Sequence, residues 1–388
     1  MTNKNTDPAQ EPKKKKTGML RRLATLLVIL AAVLAAVVLT TMEDGHHFAS
    51  LRRWLMYGDS GAPKDIYAYA ADPSNQYGKL DTSLLVVNPN TAQLISDEGA
   101  ILYELSVRMA NPQLSVGGKQ AAVCDVGGNT IYLLDQNGVQ RTMHTEGELC
   151  YYSARLNSRD DLAVTEQKSG YKASVSVYNS AGALVFHFDS YDNYLSDAVV
   201  TEDGRSVVAV SLESVGGIFT SRLRVYDLAT AELKSDVPIS DGLVMDLVCS
   251  GDRVLSLCDK RFTMTTIGGE KLLDQPYGNL YLQEYALTGR DFCALLLGRY
   301  QAGNICTLTT YDLDGAIIAS LSLTEEVLDL SASGERLAVL FDDSLVVYDK
   351  ELNECARLED TDYAGQIRME ADGAVLLISG TSAWKFLP

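Results

Sequence analysis

The sequence predicts an all-β protein: a seven-bladed β-propeller, with eight blades as the alternative, preceded by one N-terminal transmembrane helix. Three observations carry that prediction. A short apolar strand ending in a polar turn recurs eight times. A Gly- and Asp-rich hairpin turn followed by a continuous apolar run recurs seven times, nearly in phase with the first marker. Ahead of both lies Leu23 to Leu39, an uncharged apolar run with a basic flank on its N-terminal side.

In chain order, residues 1–20 are polar, Pro-containing and Lys-rich, and read as a disordered basic cytoplasmic tail. Lys13 to Lys16 are also placed to meet anionic lipid headgroups. Residues 21–42 are the membrane segment. The stretch from Leu23 to Met42 rises roughly 30 Å at about 1.5 Å per residue, enough to cross a bilayer core. Lys13 to Lys16, Arg21 and Arg22 precede it and Glu43 and Asp44 follow it. The positive-inside rule therefore leaves the N-terminus in the cytoplasm and everything after about residue 43 outside. The apolar run exceeds a usual signal-peptide core, and Thr40-Thr41-Met42-Glu43 is not a small-x-small exit, so an uncleaved signal-anchor is expected. Residues 43–64 form a juxtamembrane linker. Within it Phe48, Leu51 and Leu55 recur at helical spacing beside Trp54, as in a helix lying in the membrane interface or a stalk packed on the propeller, and Gly58 to Pro63 ends the pattern.

Residues 65–388 are the propeller domain. Its clearest strand copies are Val175 to Asn179, Leu223 to Asp227, Leu308 to Asp312 and Leu345 to Asp349. Weaker ones are Leu84 to Asn88, Ile131 to Asp135, Phe262 to Thr266 and Ala383 to Phe386. A recurrence of about 40 residues built of strands and tight turns indicates propeller blades, each with strands A to D from the axis outward. The copies above are assigned to strand C. The second marker, at Gly117–Lys119, Arg159–Asp161, Glu202–Gly204, Gly251–Arg253, Gly289–Asp291, Ser333–Glu335 and Ala371–Gly373, is the A–B hairpin. The apolar runs after it, such as SVVAVSL and LAVLF, are B strands buried between blades. Six stretches from about 100 to 362 hold the whole A–B–C–D order. The C-terminal end offers A, B and C. The N-terminal end offers C and D at 84–96, with an extra strand at Ile66 to Ala70. Joining the two ends completes a seventh blade and removes exposed edges; eight blades would need two incomplete ones side by side.

At their Tyr-Asp ends, as in Val225-Tyr226-Asp227 and Val347-Tyr348-Asp349, the C strands resemble WD40 repeats with the Trp-Asp pair replaced. The Gly-His element of that family is missing. The Asp-Gly turns before apolar strands, as at Asp203-Gly204 and Asp372-Gly373, resemble those of TolB-like and quinoprotein-like propellers. The layout over residues 20–388 is similar to an uncharacterised bacterial family of membrane-anchored propeller domains of unknown function. That resemblance implies a fold and a location and carries over no active-site residue.

Composition narrows the function. The formal charge is −18, but residues 1–42 hold seven Lys/Arg against Asp7 and Glu11, so the remainder holds 26 against 49 Asp/Glu. A body that acidic excludes nucleic acid as a partner. Of the four His, His46 and His47 adjoin the membrane segment without further metal ligands in sequence, and His144 and His187 read as surface or strand-edge residues. The seven Cys contain no CxxC and read mostly as small buried hydrophobes, with a Cys293–Cys306 disulfide as the one pairing the repeat suggests. Asp312-Leu313-Asp314-Gly315 reads as a C–D turn because the distal Glu of a calcium loop is missing. Asp189, Asp192, Asn193 and Asp197 read as an inter-blade loop. There is no GxSxG elbow, sialidase repeat or recurring blade Trp. No catalytic, cofactor-binding or metal residue is assigned.

The expected role is a membrane-anchored, extracytoplasmic binding or scaffolding module, single-pass in the cell membrane, with an envelope protein, a peptide or a glycan as partner. The candidate binding loops are the long connections, with Ser214, Gly216, Gly217 and Phe219 on one and Tyr191 and Tyr194 on another. The alternatives are an extracellular lyase or hydrolase with carboxylates at the central channel and a sensor ectodomain signalling to residues 1–17.

Overall fold

The computed structural model describes residues 64–388 apart from 146, 240 and 302. The basic tail, the membrane segment and the linker up to residue 63 lie outside the described residues. No helix among those described is long and apolar enough to cross a membrane.

The described chain forms eight four-stranded antiparallel sheets. This corrects the expectation of seven blades. Blade 1 is complete by itself: Gln76–Leu80, Ser83–Val87, Thr91–Ile95 and Ile101–Ser106. Blades 2 to 7 run from Pro112 to Glu359 in the same A–B–C–D order. Blade 8 takes A, B and C from Gln366–Met369, Val375–Ile378 and Ser382–Phe386, and its D strand is Lys64–Ala68 from the other end of the chain. Both ends of the chain therefore share a blade, as expected, but the N-terminal end contributes one strand to it and not two.

The miscount has a physical cause. Leu84 to Asn88 is strand B, not strand C. Asn88 closes the B–C hairpin, its Oδ1 accepting from the backbone N of Asn90 and of Thr91, both at 2.9 Å. Asp312 closes a C–D turn in the same way, accepting from the N of Asp314 at 3.0 Å and of Ala316 at 2.7 Å. A side-chain cap on a tight turn thus looks alike at both places in a blade. The true C–D turn of blade 1 is capped by Ser96 Oγ. Its A–B hairpin, Asp81-Thr82, holds Asp81 at φ 56° without a glycine, so neither marker stood out. The seven hairpins assigned as A–B turns all join strands A and B.

Between neighbouring sheets lie apolar clusters. One joins Phe292, Leu296 and Leu308 of blade 6 to Leu330, Leu337 and Val346 of blade 7. The one that closes the ring joins Tyr67, Leu376, Ile378 and Ala383 of blade 8 to Leu84, Val86 and Ile95 of blade 1. Just past the D strand, Tyr69 donates its hydroxyl to Ser379 O and Ser382 O, both at 2.8 Å. All seven cysteines are free. The pairing of Cys293 with Cys306 is ruled out by register: Cys293 faces Tyr311 and Cys306 faces Gly298, at opposite ends of the hairpin.

Tyr67 is 1% exposed. Tyr67→Ala is expected to cost about 3 kcal/mol, as for large-to-small changes at buried aromatic sites. Tyr363→Ala, at a 95% exposed position, should stay within about 0.5 kcal/mol. Urea unfolding of the two variants checks the contrast.

Candidate binding face and inner ring

Strand direction alternates within each blade, so A–B and C–D turns lie at one end of the ring and B–C and D–A connections at the other. Among the described residues, 19 large apolar side chains are exposed. Twelve of them lie on the B–C and D–A connections or the strand ends beside them; the other seven sit on D strands. Eleven of the twelve come from consecutive blades 3 to 6. Tyr171 belongs to blade 3, and Tyr191, Tyr194, Ile218 and Phe219 to blade 4. Leu243 and Met245 belong to blade 5, and Leu280, Tyr281, Tyr300 and Ile305 to blade 6. Tyr363 is the twelfth, in the connection entering blade 8. An apolar concentration of this kind at one end marks a contact surface.

Blade 4 projects furthest. Its B and C strands, Ser206–Val215 and Ile218–Asp227, are ten residues each, where other B strands have four to seven. Ser214 to Ser221 was expected to be a long loop; instead the ladder continues to the pair Val215 and Ile218. The reason is the Gly216-Gly217 turn, at φ 62° and 85°, a two-residue hairpin whose positive φ values match strand twist and suit glycine. Phe219 faces Ser214 across the pair and is 57% exposed. Charges brace the stem: Arg222 Nε lies 2.7 Å from Asp236 and 3.5 Å from Glu213. At the base, Tyr194 is in register with Leu212, and Lys172 Nζ sits 4.9 Å from its ring centre. Tyr191 meets Tyr171 edge-on at 5.4 Å. The fold thus brings Ser214, Gly216, Gly217, Phe219, Tyr191 and Tyr194 to one end of blade 4. Sequence reasoning did not single out Tyr171, Met245, Tyr281, Tyr300 or Tyr363. Their signal is a bulky apolar residue in or beside a connecting segment.

Next to this arc the same end is acidic. The connections of blade 7 and the one entering blade 8 expose Glu325, Glu326, Asp342, Asp343, Asp360 and Asp362 and contain no Lys or Arg. Asp360, Asp362 and Tyr363 all have positive φ, at 67°, 53° and 62°. Asp tolerates that conformation, but for Tyr363 it is unusual.

The innermost strands carry a pattern that only the register discloses. Gln76, Gln113, Ser153 and Gln366 occupy equivalent positions on the A strands of blades 1, 2, 3 and 8. Asp197, Asp246, Glu284 and Asp329 occupy the same position on blades 4 to 7. On blades 3 to 7 a β-bulge immediately precedes the polar residue, re-aiming it. Two of these side chains, Gln76 and Asp329, bind the backbone of the next inner strand, which has no sheet partner on its axial side. The Gln76 amide bonds Pro112 O and accepts from Leu114 N, and Asp329 accepts from Ile367 N at 2.7 Å.

Two arginines bracket the four carboxylates. Arg155, from blade 3, reaches Asp197 at 3.5 Å, Asp246 at 2.9 Å and Leu247 O at 2.8 Å. Arg368, from blade 8, lies 3.3 Å from Asp329. Burial pulls the Arg155 pKa down, but Asp197 and Asp246 outweigh it and the net shift is upward. Burial raises Asp197 and Asp329, with their arginines partly offsetting it. Glu284 is pushed up to about 7 by burial and then by Asp329, with Arg368 opposing.

Other candidates are accounted for by local bonding. His187 lies 3.0 Å from Asp189 and 3.0 Å from Ser176 Oγ, His144 lies 3.2 Å from Thr130 Oγ1, and His46 and His47 lie outside the described residues. A cleft of about 420 Å³ between blades 2 and 3 is lined by Arg141, His144, Glu166 and Lys168, but Arg141 is engaged with Gly182 O at 3.0 Å and the Tyr178 ring. Among the described residues no group of three His, Cys, Asp or Glu is disposed to hold a metal ion.

The sequence pattern of a family of unknown function, DUF5711, matches residues 65–357. The chain belongs to that family. No curated protein matches it. Among solved structures, the DUF5711 propeller is similar to BamB from Moraxella catarrhalis at 11% identity and a TM-score of 0.53, covering 84% of this chain and 100% of that one. It is similar to the computationally designed Ika8 protein at 11% identity and a TM-score of 0.60, with the same coverage. The C-terminal WD40 domain of Sif2 aligns at 14% identity and a TM-score of 0.58, over 84% and 98% of the two chains. These likenesses establish the propeller fold, with WD40-like and BamB-like relatives in shape.

The ring position of Glu284 has a pH consequence. Folding raises its pKa from 4.5 to about 7, so the folded state holds the proton more tightly than the unfolded chain. The stability this contributes is fully present below about pH 4.5 and is lost as pH rises through 7. Glu284→Gln should therefore be more stable than the parent at pH 8 by about 1–2 kcal/mol, allowing for partial solvent screening, and equal to it at pH 4.5. Equilibrium unfolding at the two pH values measures this.

Proposed function

We propose that the protein is a membrane-anchored, extracytoplasmic binding or scaffolding module whose contact surface is the B–C and D–A end of blades 3 to 6. The observation that carries this reading is the placement of eleven exposed large apolar side chains on that one arc. Water-facing Tyr, Phe and Leu at this density favour burial against a partner, and a rigid ring of sheets holds connecting loops well for recognition. The location rests on the apolar Leu23 to Leu39 run and its basic flank.

A second reading, an extracellular lyase or hydrolase, is favoured by one observation: four carboxylates converge around the axis, and Glu284 titrates near neutrality. Against it, Asp197, Asp246 and Asp329 are engaged by arginines and backbone amides that hold the inner strands together.

A photoreactive amino acid placed at position 219 or 281, in cells that make the protein, should yield a discrete crosslinked adduct of the same mass from both positions. The same residue at position 184, on an outer D strand, should not. Equal labelling at all three positions, or none at 219 and 281, would count against the binding face.

A further inference from the structure

We propose that the occupant of this face is a polypeptide segment carrying both basic and large apolar side chains. The proposal rests on the reading of the arc as a contact surface and adds the chemistry of the partner. The arc supplies an apolar half. Tyr191 is 72% exposed, and Ile218, Phe219 and Tyr300 are each more than half exposed, so a partner that covers them must present apolar surface of its own. The rest of the same end supplies the electrostatic half. The six exposed carboxylates of blade 7 and its exit, from Glu325 to Asp362, share their connections with no basic residue.

These two halves select against other occupants. An anionic partner would be repelled by the carboxylates. A neutral apolar surface would cover the arc but gain nothing from the carboxylates beside it, and would strip water from any it covered. A second copy of this chain brings the same six carboxylates, against which the connections of the arc set only Lys168, Lys172, Lys260 and Arg299, so like charge prevails. A segment with Lys or Arg beside Leu, Ile or aromatic side chains answers both halves, its cations at the acidic rim and its apolar side chains on the arc.

The test uses the full chain in detergent micelles and fluorescently labelled short peptides. One peptide alternates Lys/Arg with Leu and Tyr. A second has Glu for each basic residue, and a third has Ser for each apolar one. Two variants accompany the parent: Glu325→Gln/Glu326→Gln/Asp342→Asn/Asp343→Asn and Phe219→Ser/Tyr281→Ser, both confirmed as folded by thermal unfolding. The basic–apolar peptide should bind the parent at least about tenfold more tightly than either altered peptide. The charge-neutralised variant should lose about tenfold in affinity together with most of the salt dependence, and the apolar variant about tenfold with the salt dependence retained. Equal or tighter binding of the acidic peptide, unchanged affinity in either variant, or no binding of the basic–apolar peptide overturns the proposal. If crosslinks still form at 219 and 281 in those cases, the contact surface stands and only its occupant is wrong. If crosslinks fail too, the binding face itself falls.

Discussion

A four-stranded sheet with two apolar faces has no independent stability in water; it persists only if both faces are covered. Here each blade covers the next, and the constraint can be met for all eight only when the last blade seals against the first. That seal falls to Lys64–Ala68, the D strand of blade 8, with Tyr67 and Tyr69 buried against blades 1 and 8. Without it the Ser382–Phe386 strand would be an edge, and edges of this composition, SAWKF, invite pairing with other chains. The rigidity of the loop-bearing end depends on this closure, because the connections are only as fixed as the sheets between which they run.

Closure creates a second requirement at the axis. The inner strands have backbone N–H and C=O groups with no sheet partner on their axial side, and such groups are costly when left unmet near the interior. Each blade carries one polar side chain at a common register, from Gln76 around to Gln366, and those of Gln76 and Asp329 meet backbone groups of the next inner strand. On blades 4 to 7 the residue is acidic, and Arg155 and Arg368 flank the run from either side. Most of the charge at the channel is thereby spent on structure, through Arg155 and Arg368, while burial pushes the Glu284 pKa up to about 7. The axis and the apolar arc divide the work: one fixes the geometry of the ring, the other offers surface.

Much of the architecture could be read from the chain because its signals are local. A hairpin such as Glu202-Asp203-Gly204 declares itself within three residues, since positive φ restricts the choice of side chain. The same locality caused the error in blade count: Asn88 closes a B–C hairpin with the bonds that Asp312 makes at a C–D turn, and nothing nearby tells them apart. Gly216-Gly217, flanked by β-formers, carries the local signal of a hairpin turn, although the length of Ser214 to Ser221 reads as a loop. The inner ring was not legible, because Arg155 and Asp246 are far apart in sequence and their meeting depends on the register of three blades at once. Of the apolar arc only Tyr191, Tyr194 and Phe219 of blade 4 were legible, because Tyr171, Tyr281 and Tyr300 look like ordinary strand-end residues until the strand directions place them on one end.

The most direct measurement of the account is a covalent trap across the closure. Ala68 and Ser382 are register partners at the seam of blade 8, and neither is buried. Ala68→Cys/Ser382→Cys should form an intramolecular disulfide under mild oxidation, found by mass as one peptide pair joining the two positions, since paired positions on adjacent antiparallel strands come within bridging distance. A folded protein in which position 68 stays reduced, or links to a position in another blade, would contradict the eight-bladed ring.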